Sequence, residues 1–421
     1  MFARPGLPEK QESVMSRGKE TLFITLAALA MGGSAALIAS AAGTPQVVRA
    51  RDLGVPFDGM PGPLNAITDV KGVEVGYVTR IEGEGPLVVG KGPIRTGVTA
   101  IFPRGRKDAT PVYGGWFSQN GNGEMTGTTW VEEGGLLEGP VAITNTHSVG
   151  VVRDGIIAWA VKTGWQGKQA FMLPVVAETY DGGLNDIDGF HIKEADVFKA
   201  LESATAGPVA EGNVGGGTGM VCFQFKGGSG TASRVLRAED GGYTVGVFVQ
   251  CNCGSRSELR VAGVRVGLAI PSGRPELTSL NRTSDDNPDQ ELGSIIIVVA
   301  TDAPLLPSQL KRLARRATMG LARTGATSGN GSGDIFIAFS TANRDAARPG
   351  NPNTVQTVSN EHISRLFSAT VEATEEAIIN AMVGAETMTG ADGRTVKALP
   401  HDELKALMEK MKATLPYPGA K

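Results

Sequence analysis

The rhythm of hydrophobic and polar positions breaks at Ser294. Residues 271–293 are mostly polar, and Ile295-Ile296-Ile297-Val298-Val299-Ala300-Thr301 then forms an apolar, largely β-branched run closed by a threonine. Such a run predicts a buried strand. Upstream the pattern predicts mainly sheet. Residues 66–76 alternate with turn residues and read as a hairpin, and strands are expected at 98–102, 141–146, 219–225, 233–236 and 243–249. Residues 114–127, rich in Gly and Asn, read as a loop. Helices are expected at 149–162 and at 195–203, where Val197 and Leu201 share a face.

Downstream the order changes. Leu310, Leu313, Ala314, Ala317 and Leu321 recur at helical spacing, with Ser308 as the expected cap and Gly325 as the stop. A strand at 335–339 and a longer helix at 360–383, closed by Gly384, follow. Helices and strands alternate without the strict rhythm of a nucleotide-binding fold, and a layered α/β sandwich fits this order best.

Composition narrows the function. The chain has 421 residues, a formal net charge of −3 and 41% hydrophobic residues, so it can bury a sizeable core and carries no polyelectrolyte signature. Nucleic acid is therefore not an expected partner. Fifty-eight glycines against 5% aromatics point to tight turns and close backbone approaches. At the N-terminus Arg17 and Lys19 precede a largely apolar stretch at 22–38, and Ala39-Ser40-Ala41 supplies small residues for cleavage. Residues 1–41 read as a signal peptide, with Met15 as an alternative start, so the mature protein is expected to be periplasmic or secreted without stable membrane insertion. Cys222, Cys251 and Cys253 read as small buried hydrophobes, with neither a disulfide framework nor a metal site implied. The Gly215–Gly219 run lacks the lysine of a P-loop and reads as a tight backbone wall.

The chemistry is expected at the junction. A scission of Gly293–Ser294 would give Ser294 a nucleophilic hydroxyl and a basic α-amine on one residue. Further strings stand in order along the chain. They are Asn65-Ala66-Ile67-Thr68-Asp69-Val70, Asn120-Gly121-Asn122-Gly123-Glu124, Thr144-Asn145-Thr146-His147-Ser148-Val149-Gly150 and Glu178-Thr179-Tyr180-Asp181-Gly182. Glu211 to Gly219, Gln250-Cys251-Asn252, Ala300 to Leu305 and Gly331-Ser332-Gly333-Asp334-Ile335-Phe336 complete the set. Together they resemble the L-aminopeptidase/D-amidase-esterase family, which includes the bacterial β-peptidyl aminopeptidases, over nearly the whole mature chain.

That resemblance implies a four-layer αββα sandwich and a self-cleaving serine hydrolase. After the signal peptide read above (1–41), it divides the chain into an α chain (42–293, with a processing loop at 271–293) and a β chain (294–421). Ser294 matches the family's nucleophile and Gly293 the residue before the cut. Ser332 and Asp334 match the second serine and its acidic neighbour, which hold and polarise the new amine. Asn252 and Tyr180 match the groups that stabilise the oxyanion, and Glu178 is the candidate for gripping the substrate's ammonium. Expected substrates are short peptides, amides or esters with a free N-terminal amine. The resemblance further implies no metal or organic cofactor and a tetramer of αβ units. His147 is read as structural. Two other readings stand beside this one. An ornithine-acetyltransferase-like acyl transferase would ordinarily carry Thr in place of Ser294. A non-catalytic periplasmic binding protein on the same fold would not need the serines at all.

Overall fold

The structure, a computed structural model, describes residues 48–165, 170–272, 293–345, 347 and 353–414. The expected signal peptide and most of the processing loop lie outside the described residues. In chain order the first elements are β1 (Glu74–Glu82), β2 (Ile94–Phe102), β3 (Val112–Gly121), α1 (Thr128–Gly134), β4 (Leu136–Leu137), β5 (Val141–Asn145), α2 (Val149–Thr163), β6 (Val175–Thr179) and α3 (Glu194–Glu202). Next come β7 (Val221–Cys222), β8 (Phe225–Lys226), β9 (Gly228–Val235), β10 (Thr244–Asn252), α4 (Val266–Ala269) and β11 (Ser294–Thr301). The last are α5 (Pro307–Arg323), β12 (Gly333–Ser340), α6 (Ser364–Val383), the small pair β13 (Met388–Thr389) and β14 (Thr395–Val396), and α7 (His401–Thr414).

Two sheets form the centre. One has the order β1-β2-β5-β6 and the other the order β4-β3-β12-β11-β10-β9. The apolar run of β11 explains how they stack. Ile295, Ile297 and Val299 pack with Leu310, Leu313 and Ala317 of α5 and Ala373 and Ala377 of α6. Ile296, Val298 and Ala300 pack on the opposite side with Ile101, Ile143 and Ala177 of the other sheet. Both faces are dry, so the strand tolerates no polar alternation; each buried Val or Ile contributes about 1.5–3 kcal/mol. On the outer face of the smaller sheet, Ala100, Phe102 and Val176 pack against Val152, Ile156 and Trp159 of α2 and Val197 and Leu201 of α3. The layers are helix, sheet, sheet, helix, as expected from the resemblance. Each sheet contains one parallel pair joined through a helix: β5 and β6 through α2, and β11 and β12 through α5.

Four local expectations are corrected. Residues 66–76 form no hairpin. A 3-10 turn at Ile67–Asp69 leads into β1, and the Asp69 carboxylate holds that turn by accepting from the Leu64 and Ala66 N–H groups and the Ser233 hydroxyl. Much of the expected loop at 114–127 is instead β3, beside β12 in the larger sheet. Its glycines are needed for contact: a Cβ on Gly115 would lie 2.5 Å from the Lys311 nitrogen, so α5 seats on this strand only over glycine. The expected strand at 219–225 is the hairpin of β7 and β8, turned by Phe223 and Gln224 at positive φ. Helix α5 begins one residue before Ser308, with Pro307 at its first position and the Gln309 side chain reaching back to the Leu306 N–H.

Candidate active site

The larger sheet brings the junction residues together by register. Asn252, the last residue of β10, pairs with Ser294, the first of β11. Ser294 in turn pairs with Gly333, the first residue of β12. Three adjacent strands thus deliver Asn252, Ser294 and the Ser332–Asp334 turn to one edge. All four side chains are buried. The Gly293 carbonyl accepts from the Gly333 N–H at 3.2 Å, so the bond expected to break already has a donor on its oxygen. Gly293 shows no left-handed φ; close approach demands the glycine. A Cβ there would lie 2.6 Å from the Asn252 carbonyl oxygen and 2.7 Å from the Cys253 Cα.

The Ser332 hydroxyl donates to Asp334 Oδ1 at 2.7 Å. Burial raises the Asp334 pKa above the ordinary carboxylate value, opposed by the hydroxyls of Ser328 and Ser332 and the Ile295 backbone. The loop before β12 is braced from β3 and the residue just after it. Asn120 Nδ2 donates to the Gly329 carbonyl and Asn122 Nδ2 to that of Gly331. A register shift between Asp334 and Ile335 bends the ladder there, the local device by which strands re-aim side chains. Asn120 and Asn122 were visible only as part of a resembling string; nothing in their spacing announced a bracing role.

The smaller sheet supplies the second half. Glu178 lies near the end of β6 and is buried. Its Oε1 accepts from the Glu124 N–H at 3.0 Å, and its Oε2 accepts from the Thr146 hydroxyl just past β5. Burial raises its pKa, and those two donors pull the other way. A Cβ on Gly123 would lie 3.2 Å from both Glu178 Oε1 and the Gly333 Cα, which puts the carboxylate one residue's width from the Ser332–Asp334 turn. Thr146 is a site residue that the sequence reading did not single out. Tyr180 is half-exposed and folds over Gly182, and burial followed by the charges of Asp181 and Asp188 raises its pKa. It shares the end of β6 with Glu178, while no hydrogen bond ties it to Asn252 or Ser294. His147 stacks on Phe190 with ring centroids 5.8 Å apart and contacts Asp188 at 3.2 Å, a surface arrangement.

The Gly215–Gly219 run is a buried 3-10 turn threaded between the sheets. Its first two amides donate to the Thr79 and Thr99 hydroxyls, so they are already engaged within the protein. The cysteines are buried as expected, but the reading of three independent hydrophobes is corrected. Cys222 and Cys251 are joined in a disulfide with Cα atoms 5.9 Å apart, and Cys253 Sγ lies 3.9 Å from each sulfur. The β7–β8 hairpin brings Cys222 back onto β10, a meeting that a 29-residue separation hides.

Known proteins resemble this chain over most of its length. A model of peptidase family S58 matches residues 65–396, which include every site residue above. The chain is 56% identical over 382 residues to the beta-peptidyl aminopeptidase BapA of Sphingosinicella microcystinivorans, covering 89% of this chain and 96% of that protein. It is 49% identical over 380 residues to BapA of Sphingosinicella xenopeptidilytica, covering 89% and 94%. Among solved structures, the L-aminopeptidase D-Ala-esterase/amidase of Ochrobactrum anthropi, described as a variant of the Ntn hydrolase fold, is similar with a TM-score of 0.78 and 48% identity, covering 86% of this chain and 98% of that one. A Burkholderia sp. beta-aminopeptidase is similar with a TM-score of 0.76 and 47% identity, covering 86% and 99%.

Proposed function

Because the chain belongs to peptidase family S58 and is a serine-type aminopeptidase, we propose that it cuts itself before Ser294 and then removes N-terminal β-amino-acid residues from short peptides, amides and esters. The observation that carries the mechanism is the register of Asn252, Ser294 and Gly333 across three neighbouring strands. The preference for β-residues rests on the 56% identity to a beta-peptidyl aminopeptidase.

In self-cleavage the Ser294 Oγ attacks the Gly293 carbonyl carbon while the Gly333 N–H holds its oxygen. The C–N bond breaks, and the acyl group passes from nitrogen to Oγ. Water then hydrolyses the ester, leaving a carboxylate on Gly293 and a free amine on Ser294. That amine, with an ordinary pKa of about 7.7–8.0, takes the proton from its own hydroxyl when substrate arrives. Ser332, oriented by Asp334, holds the amine, and no histidine is needed. Glu178 pairs with the substrate ammonium and so selects a chain end. Asn252, assisted by Tyr180, donates to the oxygen of the tetrahedral intermediate. The amine returns its proton to the leaving group, and water then hydrolyses the ester on Ser294 Oγ, releasing the N-terminal residue as a carboxylate and restoring the hydroxyl. A β-residue places one more methylene between ammonium and carbonyl than an α-residue, so the span from Glu178 to Ser294 is the specificity ruler.

Export through residues 1–41 and assembly into a tetramer of αβ units belong to the same reading. An acyl transferase is disfavoured by serine at the nucleophile position, and the aminopeptidase relatives remove the non-enzymatic reading. Denaturing electrophoresis of purified protein should show two chains, whereas Ser294→Ala should give one chain without activity. Processing of that variant would end the assignment. Turnover of a β-homoalanyl amide should exceed that of an L-Ala amide and a D-Ala ester; the reverse order would keep the mechanism and remove the β-preference.

A further inference from the structure

Lys226 is fully buried in β8, and among the described residues its ammonium donates only to backbone carbonyls. Nζ donates to the Gly227 oxygen at 2.8 Å and the Met220 oxygen at 2.9 Å, with the Gly217 oxygen at 3.5 Å. Burial alone shifts the group, pushing its pKa down to about 7, and no carboxylate offsets the cost. The charged form is the one that has a hydrogen for every carbonyl. A cation kept in a core without a counter-ion is a poor device for stability, since an apolar residue of similar length would avoid the desolvation.

The contact with Met220 shows what the position achieves. The Met220 carbonyl and the Val221 N–H are the two ends of one planar peptide unit. Lys226 Nζ and the Gly227 N–H, at 2.9 Å, hold its oxygen. Its N–H donates to Asn252 Oδ1 at 2.8 Å. Because Val221 N–H is a donor, the Asn252 atom that meets it must be the oxygen, so the orientation of this amide is fixed by chemistry. The Asn252 NH2 group then points away from Val221. A cation on a peptide oxygen also draws electron density through the unit and strengthens the N–H at its far end.

We propose that Lys226 is a positioning residue for the reaction, locking the Met220–Val221 peptide so that Asn252 presents its amide hydrogens to the developing oxyanion. The proposal rests on the reading of Asn252 as the oxyanion donor. Lys226 touches no reacting atom; it acts through one peptide and one side chain.

The test uses the processed, full-length enzyme and a β-homoalanyl amide. Lys226→Met should lower kcat by about tenfold to a hundredfold, with KM held within roughly threefold. Lys226→Gln keeps one donor for the Met220 oxygen and should recover part of that loss. In an Asn252→Ala background, Lys226→Met should cost nothing further, because the group through which it acts is gone. An equal loss of kcat in both backgrounds, or an unchanged kcat in Lys226→Met, would overturn the proposal. Failure of both Lys226 variants to fold would assign the residue to stability and overturn it as well. If Asn252→Ala alone leaves kcat intact, the oxyanion reading fails instead, and the two failures are told apart.

Discussion

The larger sheet and the smaller sheet contribute to the site by different physical means. On the larger one, Asn252, Ser294 and Gly333 are held by main-chain register: each is the terminal residue of its strand, and moving any of them means slipping a ladder. On the smaller one, Glu178 is held by a side-chain network, one backbone N–H and the Thr146 hydroxyl. Register is stiff, because a one-residue slip would exchange the two buried faces of β11 and break the packing on both sides at once. Hydrogen bonds to a side chain are softer, each contributing about 1.5–3 kcal/mol even where the acceptor is a carboxylate. The division matches the tasks proposed above. Bond breaking needs the nucleophile, its amine partners and the oxyanion donor fixed relative to one another, whereas gripping an ammonium tolerates some play.

Substitutions on the two sheets should therefore separate in kinetics. Asn252→Ala should give the largest effect after loss of the nucleophile itself, lowering kcat by about a hundredfold to a thousandfold with little change in KM. Glu178→Gln should act mainly on KM, raising it by roughly tenfold to a hundredfold, the value of a charge-assisted bond. Steady-state kinetics on both variants would break the comparison if the two signatures were exchanged.

A smaller effect sharpens it. Thr146→Val removes a donor that stabilises the ionised Glu178, whose pKa is already raised by burial. The acid limb of kcat/KM should then move to higher pH, with a several-fold loss at about pH 5 and almost none at about pH 8. A pH profile that keeps its acid limb would show that Thr146 does not tune the carboxylate.

The smallest effect concerns stability. Asp181, just past Tyr180, is fully buried, and burial raises its pKa to about 7 against the partial opposition of Thr96, Asn185 and Asn145. Its folded value therefore exceeds its unfolded value, so the folded state holds a proton that the unfolded state has lost. The resulting stability is complete below the ordinary value of 3.8 and is lost as pH rises to about 7, levelling off above that. Asp181→Asn should flatten this slope, as thermal unfolding across the window would reveal. Because Asp181 sits on the smaller sheet's side of the site, an unchanged slope would leave that half of the site without its pH-sensitive support.

Much of the molecule was legible from the residues in order. The apolar run after Ser294 specified a buried strand because nothing polar interrupts it, and helical periodicity marked α2, α3, α5 and α6 within a few residues. What misled was glycine. Gly114 and Gly115 read as loop by composition, yet they stand in a sheet because α5 must lie against them. The expected hairpin at 66–76 failed for a related reason: Asp69 organises a turn with help from Ser233, a partner 164 residues away.

By itself the sequence determined the family, the layered class of fold and the residue at which a cut is proposed, since these reside in local composition and in an ordered set of strings. Only the tertiary structure decided which peptide N–H meets Asn252, that Thr146 closes on Glu178, that Lys226 spends its charge on carbonyls, and that Cys222 meets Cys251. Those contacts join residues far apart along the chain, and their energies depend on distance and burial, which exist only once the sheets have stacked.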